Sequence, residues 1–231
     1  MIVATRKPFD AIKQVVSGHK KVLIVGCGTC VAVCLAGGEK EVSILASQIR
    51  MTLKLDGQSV QVDEATVERQ CDREFLVDLG KKVNVSDYDM VISMACGAGV
   101  QLFSDVYDRS TVAPGLDTVF IGVAEGPGVW TERCRSCGDC VLGKTAGICP
   151  VTMCAKGLLN GPCAGTRHGK CEINPEMDCA WAKIYERLAA RGGLAQIRET
   201  LPPRKNSRQA FPAVLIHEAY KRRLKKDDTI V

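Results

Sequence analysis

The chain has 231 residues, 46% hydrophobic and 25% charged, enough apolar material for one large or two small domains. Its formal net charge is +5, but aromatic residues make up only 5%, too few for surfaces on which nucleic-acid bases stack. No apolar run approaches the roughly 20 residues that span a bilayer, and residues 1–20 lack the apolar core and cleavage site of an export signal. We therefore expect a cytoplasmic protein with no nucleic-acid partner and no membrane insertion.

The first 125 residues alternate between predicted strands and helices. Strands are predicted at Lys21–Val25, near Ser59–Val62, at Met90–Ser93 and at Thr118–Ile121, with helices at Glu39–Leu55, at about Val67–Lys82 and through Val100, Phe103 and Val106. Apolar strands separated by helices are typical of a parallel sheet that is covered on both faces. The sequence thus predicts an α/β domain of the Rossmann or flavodoxin type over residues 1–128.

Five cysteines follow the predicted strands. Cys27, Cys30 and Cys34 come after the first strand, Cys71 after the second and Cys96 after the third. The carboxyl ends of parallel strands meet at one edge of a sheet, where sites gather. Because four thiolates complete an iron–sulfur cluster, these five cysteines are candidate ligands of one metal centre.

Two other interpretations of this region remain open. Cys71 and Cys96 also fit the description of buried, inert thiols, which single cysteines often are. Gly26-Cys27-Gly28 resembles the start of a dinucleotide fingerprint, but Val31 stands at the third glycine position and cysteines crowd the turn.

The other eight of the thirteen cysteines lie close together in a loop-rich segment that we predict as an iron–sulfur domain over residues 129–182. They are Cys134, Cys137, Cys140, Cys149, Cys154, Cys163, Cys171 and Cys179. The opening Cys-x2-Cys-x2-Cys spacing lets three thiolates of one loop reach one cluster, as in bacterial ferredoxins, although eight residues rather than three precede Cys149-Pro150. We expect the fourth ligand of this triplet to be Cys149 or Cys179.

Metal ligation is the interpretation that this cysteine density favours. A disulfide framework would suit a secreted protein, whereas the odd cysteine count and the missing export signal both argue against it. Zinc is the stronger rival, since Cys-x2-Cys pairs also bind zinc. We expect two or three [4Fe–4S] clusters in the chain, with zinc at one site as an open alternative. Ligating thiols are deprotonated, so bound clusters would bring the net charge towards zero.

The last part, residues 183–231, is predicted to contain helices and a basic tail. Asp178 is predicted to cap a helix whose apolar stripe is Trp181, Ile184, Tyr185 and Leu188. A second helical pattern ends at Leu201, before two prolines, and basic residues follow from Arg204. We find no nucleophile elbow, P-loop, flavin motif or paired catalytic histidines, and therefore predict no catalytic residue.

Longer motifs resemble a known family. They are Gly26-Cys-Gly-Thr-Cys30, Ala95-Cys-Gly97, Gly147-Ile-Cys-Pro-Val151, Leu159-Asn-Gly-Pro-Cys163, Gly169-Lys-Cys-Glu172 and Cys179-Ala-Trp181. The chain resembles, over nearly its whole length, the iron–sulfur subunit of bacterial methylenetetrahydrofolate reductases of the acetogen type, with their cysteine-rich C-terminal domain.

The resemblance implies a cytoplasmic complex of one-carbon metabolism in the Wood–Ljungdahl pathway. Its partner would be a TIM-barrel subunit that carries FMN and reduces 5,10-methylenetetrahydrofolate to 5-methyltetrahydrofolate. This chain would pass electrons between that flavin and an external donor, whose identity the sequence does not give. The alternative hypothesis is a zinc-bearing structural subunit of an oxidoreductase complex.

Overall fold

The computed structural model describes residues 1–203 and 212–221. The chain divides into two compact units, one from Met1 to Cys134 and one that begins at Arg135. The finer division that we predict, with boundaries at residues 128 and 182, stays a prediction.

A parallel sheet of four strands forms the centre of the first unit. Its strands are β2 (Lys21–Cys27), β3 (Gln61–Val67), β4 (Met90–Met94) and β5 (Val112–Pro114), in the order β3-β2-β4-β5. All three pairings are parallel. The α/β prediction is confirmed. Strand order reverses at β2, so the carboxyl end of β2 lies beside those of β3 and β4, where ligands bind in such sheets.

Helices cover both faces of this sheet, because alternate residues of each buried strand point to opposite sides. Val22 and Ile24 belong to one core, which includes α3 (Glu39–Leu55). Leu23 and Val25 belong to the other, with α4 (Arg73–Lys82) and α5 (Gly97–Val106). The predicted helix at Glu39–Leu55 is confirmed at both ends.

The predicted strand at Thr118–Ile121 is wrong as a member of the parallel sheet. These residues lie in β6 (Leu116–Gly126), which pairs antiparallel with β1 (Ile2–Arg6) and β7 (Val129–Cys134) in a second, three-stranded sheet. The fourth parallel strand is β5, only three residues long and ending in Pro114. A strand of three residues is too short to show a periodic pattern, so the sequence did not predict it. Its proline is compatible with an edge position, where one side of the strand has no hydrogen-bonding partner.

The second predicted strand and the helix after it are displaced. β3 begins at Gln61 and continues to Val67, beyond the predicted Ser59–Val62, and α4 begins only at Arg73. Because β3 is an edge strand, polar residues occupy its exposed positions and shorten the apolar run on which the prediction depended. Residues 68–72 therefore form a loop, and Cys71 lies in it.

The second unit has little regular structure before α7 (Ala180–Ala190). Only α6 (Pro150–Met153) precedes it, and a 3-10 helix at Leu194–Arg198 follows. The small core contains Ala146, Ile148, Ala180, Trp181, Ile184 and Leu188. Two predictions fail here. Cys179 rather than Asp178 is the N-cap residue of α7, and its side chain makes no capping hydrogen bond. Tyr185 is exposed, because its position on the helix faces away from the packed residues Trp181, Ile184 and Leu188.

The remaining described residues are 212–221, where α8 (Glu218–Lys221) is the helix. The predicted basic segment from Arg204 to Arg208 lies outside the described residues. Among the helices that the structure describes, none combines the length and apolar character needed to cross a membrane. The first unit also contains α1 (Phe9–Val16), α2 (Cys30–Val33) and a 3-10 helix at Val85–Asp87.

Candidate metal centres

Four cysteines come together at the carboxyl edge of the parallel sheet. Cys27 is the last residue of β2, Cys30 is the first of α2, Cys71 follows β3, and Cys96 follows β4 as the N-cap of α5. Neighbouring strands thus end side by side, and each is followed by a thiol at the same edge. Cys96 thus lies at the N-terminus of α5, where the N–H groups of the first turn have no partner within the helix.

Backbone hydrogen bonds fix the loops that carry these thiols. The Cys27 N–H donates to the Gly37 carbonyl at 2.9 Å, and the Gly28 N–H to the Val67 carbonyl at 2.8 Å. The Gly97 N–H donates to the Thr118 hydroxyl at 2.8 Å. Since these donors lie next to Cys27 and Cys96, the strands of both sheets determine where the cysteine loops begin.

Electrostatics shows that Cys71 is close to the other three. Partial burial raises the pKa of the Cys71 thiol, and the neighbouring thiols of Cys96, Cys27 and Cys30 raise that pKa further. The Cys27 sulfur also lies 3.8 Å from the carbonyl oxygen of Glu68, in the Cys71 loop. Because neighbouring thiolates would repel one another, the Cys71 thiol favours its protonated form in this arrangement.

Cys34 does not join this group. Its thiol is buried and donates to the carbonyls of Val31 at 3.5 Å and Ala4 at 3.6 Å. Both acceptors lie within the core of the first unit, so the thiol has partners that need no metal.

The loop that carries Cys71 is braced on its outer side. The Arg69 guanidinium lies 3.6 Å from the Glu68 carboxylate, 3.7 Å from that of Asp72, and 4.9 Å from the centre of the Phe75 ring. Asp72 in turn caps α4 by accepting the Glu74 N–H at 3.3 Å. These exposed contacts are individually weak, but together they tie the loop to the first turn of α4.

A second group of cysteines lines one cavity in the second unit. It consists of Cys154, Cys163, Cys171 and Cys179. Pro162, Met177 and Trp181 also line this cavity, so apolar side chains lie beside the four sulfurs. A hydrophobic shell is one feature that tunes the potential of an iron–sulfur centre.

Short backbone contacts hold this cavity together. The Cys179 N–H donates to the Gly169 carbonyl at 2.7 Å, and the Cys171 N–H to that of Met177 at 2.9 Å. The Trp181 indole N–H donates to the Leu158 carbonyl at 2.9 Å. Cys179 therefore occupies the N-terminus of α7 while Trp181, one half-turn on, anchors the helix to the loop.

Cys163 has a charged neighbour. Its thiol lies 3.2 Å from a carboxylate oxygen of Glu172, which also pairs with the Lys156 ammonium. Lys156 is the main cause that lowers the pKa of Glu172, with the Cys163 hydrogen bond next, and Glu172 in turn raises the pKa of Lys156. Lys156 thus offsets the negative charge of Glu172 beside the Cys163 thiol.

The other four cysteines are spread along the chain between these groups. Cys134 ends β7 opposite Ile121, and Cys149 is the N-cap of α6. Cys137 and Cys140 lie in the loop after Arg135, where the Cys137 thiol is 4.0 Å from the Asp139 carbonyl. A cluster shared by Cys134, Cys137 and Cys140, with Cys149 or Cys179 as fourth ligand, stays a prediction.

All thirteen cysteines lie among the described residues and carry free thiols. Within residues 1–203 and 212–221, no three His, Cys, Asp or Glu side chains converge closely enough to hold a single metal ion. The donor set itself is four thiols in each group, which suits a [4Fe–4S] cluster and a zinc ion held by four thiolates alike.

Two buried residues at the first group were not singled out from the sequence. Gln70 and Ser93 are both fully buried. Ser93 interrupts the otherwise apolar strand β4, and a polar residue inside a buried strand signals a specific hydrogen bond. Gln70 offered no such signal, because the sequence predicts it within the helix at about Val67–Lys82, where polar residues are common on the exposed face.

Residues 113–207, less than half of the chain, match a family model described as "Methylene-tetrahydrofolate reductase C terminal". No curated protein and no solved structure matches the chain. The matched range contains all eight later cysteines and none of the first five. Residues 113–207 are thus related to the C-terminal domain of methylenetetrahydrofolate reductase.

Proposed function

We propose that this chain is an iron–sulfur electron-transfer subunit of a methylenetetrahydrofolate reductase complex. The observation that supports it best is the grouping of Cys27, Cys30, Cys71 and Cys96 at the edge where parallel sheets bind their ligands. The match of residues 113–207 supplies the association with the reductase.

In this proposal each group of four cysteines holds one [4Fe–4S] cluster. Cys27, Cys30, Cys71 and Cys96 ligate the first, and Cys154, Cys163, Cys171 and Cys179 the second. A third cluster would be the one predicted from the spacing of Cys134, Cys137 and Cys140, with Cys149 or Cys179 as its fourth ligand. A bound cluster supplies one-electron transfer, and its potential depends on hydrogen bonds to sulfur and on solvent exposure. Cys34, with its own carbonyl partners in the core, is no ligand.

The side chains of this chain would hold and shield the centres rather than act on folate. Loops at the sheet edge present the thiols, and Trp181 and Met177 limit water at the second group. The flavin and the folate site would belong to a TIM-barrel partner, which receives electrons singly and uses them in pairs. The external donor is unassigned.

The first experiment measures metal and sulfide in the chain purified without oxygen. We expect about eight to twelve iron atoms per chain with matching acid-labile sulfide, the content of two or three [4Fe–4S] clusters. Stoichiometric zinc with little iron and no visible charge-transfer absorption would favour the structural-subunit alternative instead.

A second experiment tests the division of labour. The isolated chain should not reduce methylenetetrahydrofolate, whereas the complex with its flavoprotein should. Replacing Cys137 by serine should slow reduction of the flavin by the physiological donor but not by a dye that reduces the flavin directly. Cys34→Ala serves as the matched control and should alter neither rate. Because serine can itself ligate iron and only shift the potential, the iron content of each variant is measured beside the rates.

Equal loss of both rates in Cys137→Ser, with the complex assembled and its flavin retained, would contradict electron transfer through this chain. Folate turnover by the isolated chain would contradict the placement of the active site on a partner.

A further inference from the structure

Gln70 is a fully buried amide immediately before Cys71. It lies in the loop between β3 and α4, at the edge where the first group of cysteines gathers. Burying an amide is unfavourable unless its donors and acceptor are all paired. The partners of Gln70 therefore indicate why a polar side chain occupies this position.

Those partners come from both neighbouring strands. The Gln70 amide nitrogen donates to the carbonyl oxygens of Val25 at 2.8 Å and Gly26 at 3.1 Å, at the end of β2. Its amide oxygen accepts the Ser93 hydroxyl of β4 at 2.6 Å. One side chain thus connects the three segments that lead to Cys27, Cys71 and Cys96.

Helix α5 packs tightly against the Cβ atom of the same residue. A Cβ atom added at Gly99 would lie 3.0 Å from the Cβ of Gln70 and 2.8 Å from that of Ala95. Gln70 therefore sets the distance between the Cys71 loop and the first turn of α5, which begins after Cys96. An apolar side chain at position 70 could not hydrogen-bond to the two carbonyl groups or to the Ser93 hydroxyl.

We infer that Gln70 is a positioning residue, which holds Cys71 opposite Cys27 and Cys96 through its hydrogen bonds to β2 and β4. The inference rests on the proposed function in one respect: the thiols that Gln70 positions are the proposed ligands of the first cluster. The placement of Cys71 can be measured without any metal.

The test uses Gln70→Met, which keeps an unbranched side chain of similar size but removes all three hydrogen bonds. Ser93→Ala removes only the contact to β4. Gln61→Met makes the same change at an exposed glutamine at the start of β3, the opposite edge of the sheet, and is the matched control.

The main measurement is how readily Cys71 forms disulfides with neighbouring cysteines in the iron-free chain; this disulfide formation is called Cys71 capture. Brief oxidation with diamide joins neighbouring thiols, and peptide mass spectrometry then quantifies disulfides between Cys71 and Cys27, Cys30 or Cys96. Disulfide formation requires a short and defined separation, so we expect these products to fall about fivefold in Gln70→Met and about twofold in Ser93→Ala. Gln61→Met should match the unaltered chain.

Unchanged capture in a folded Gln70→Met chain would overturn the inference. If Gln70→Met does not fold, as judged by circular dichroism, Ser93→Ala decides by the same measurement. As a second measurement, iron release from the loaded chain to a chelator should be faster in Gln70→Met for about four of the iron atoms, those of one cluster. If the chain purified without oxygen contains no iron and cannot be loaded with it, while disulfide formation at Cys71 still depends on Gln70, the proposed function is contradicted and the positioning role is supported.

Discussion

The two units stabilise their cysteines by different means. In the first unit, large cores on both faces of a sheet fix the strand ends that carry the thiols. In the second, six buried residues form the core and the cysteine loops contain little regular structure. In the described part of the second unit, four non-glycine residues have positive φ, against Leu35 alone in the first unit; the four are Ser136, Ala146, Ala164 and His168.

This difference indicates where metal would matter for folding. Left-handed backbone at non-glycine residues costs on the order of 1 kcal/mol each and persists only where other interactions stabilise it. A small core offers little of that stabilisation, whereas ligation by several cysteines in one loop can supply it. We therefore expect the second unit to depend on its metal and the first to retain its fold without it.

The largest expected effect is that of metal removal. After chelation without oxygen, amide hydrogens of α7 should lose their protection from exchange, while those of β2 and β4 should keep theirs, because the sheet needs no ligand. Hydrogen exchange followed by mass spectrometry measures both in one sample. Reconstitution with iron and sulfide is the control and should restore protection in α7. Persistent protection of α7 in the metal-free chain would remove the contrast between the units.

The second-largest expected effect is on iron content, and it distinguishes a proposed ligand, Cys71, from Cys34 in the first unit. Cys71→Ala should lower the iron content by about four atoms per chain, the content of one cluster. Cys34→Ala should leave the iron content unchanged, because the Cys34 thiol is hydrogen-bonded to the carbonyls of Val31 and Ala4 and not to a cluster. Iron and sulfide analysis of the two folded variants checks this. Iron loss in Cys34→Ala alone would reverse the assignment.

A smaller effect tests how rigidly the first unit is packed. A Cβ atom at Gly37 would overlap the carbonyl oxygen of Met94, backbone that cannot move aside. Gly37→Ala should lower the free energy of unfolding by about 1–3 kcal/mol, as overpacking typically does. Gly126→Ala is the matched control, since a Cβ there meets no atom within 4 Å. Urea unfolding of the metal-free chain measures both, and equal midpoints would show that the sheet edge is looser than described.

The smallest effect concerns Tyr88, whose hydroxyl donates to the Asp63 carboxylate at 2.9 Å. Burial, then this hydrogen bond, raises the pKa of Tyr88 to about 12. The fold thus prefers the protonated hydroxyl, and its contribution is complete below about pH 10, the ordinary pKa of tyrosine, and is lost as pH rises towards 12. Tyr88→Phe should cost about 1 kcal/mol at neutral pH.

The measurement for Tyr88 is the difference in unfolding free energy between the two chains from about pH 8 to about pH 11.5, and that difference should shrink above about pH 10. The exposed Tyr185 of the second unit gives the control variant Tyr185→Phe, for which we expect no change. A difference for Tyr88→Phe that does not vary with pH would contradict the proposed role of the hydrogen bond.

Much of the first unit followed from pattern alone. Lys21–Val25 and Met90–Ser93 are continuous apolar runs, and both lie in buried strands, because a strand covered on both faces needs apolar residues throughout. Glu39–Leu55 had a helical period over its full length. The prediction misplaced edge strand β3, because a half-exposed strand has no continuous apolar run. It missed edge strand β5, because that strand is only three residues long.

The sequence by itself determined that cysteines gather after strands of a parallel sheet, because connectivity and apolar pattern are local properties. Only the tertiary structure decided which thiols meet. Cys30 and Cys34 are separated by a single helical turn, yet Cys34 faces carbonyls that include that of Ala4 in β1, a strand the pattern did not predict. Gln70 likewise acquired its role through hydrogen bonds to strands 23 to 45 residues away in sequence. Such contacts depend on how distant segments pack, which spacing along the chain does not encode.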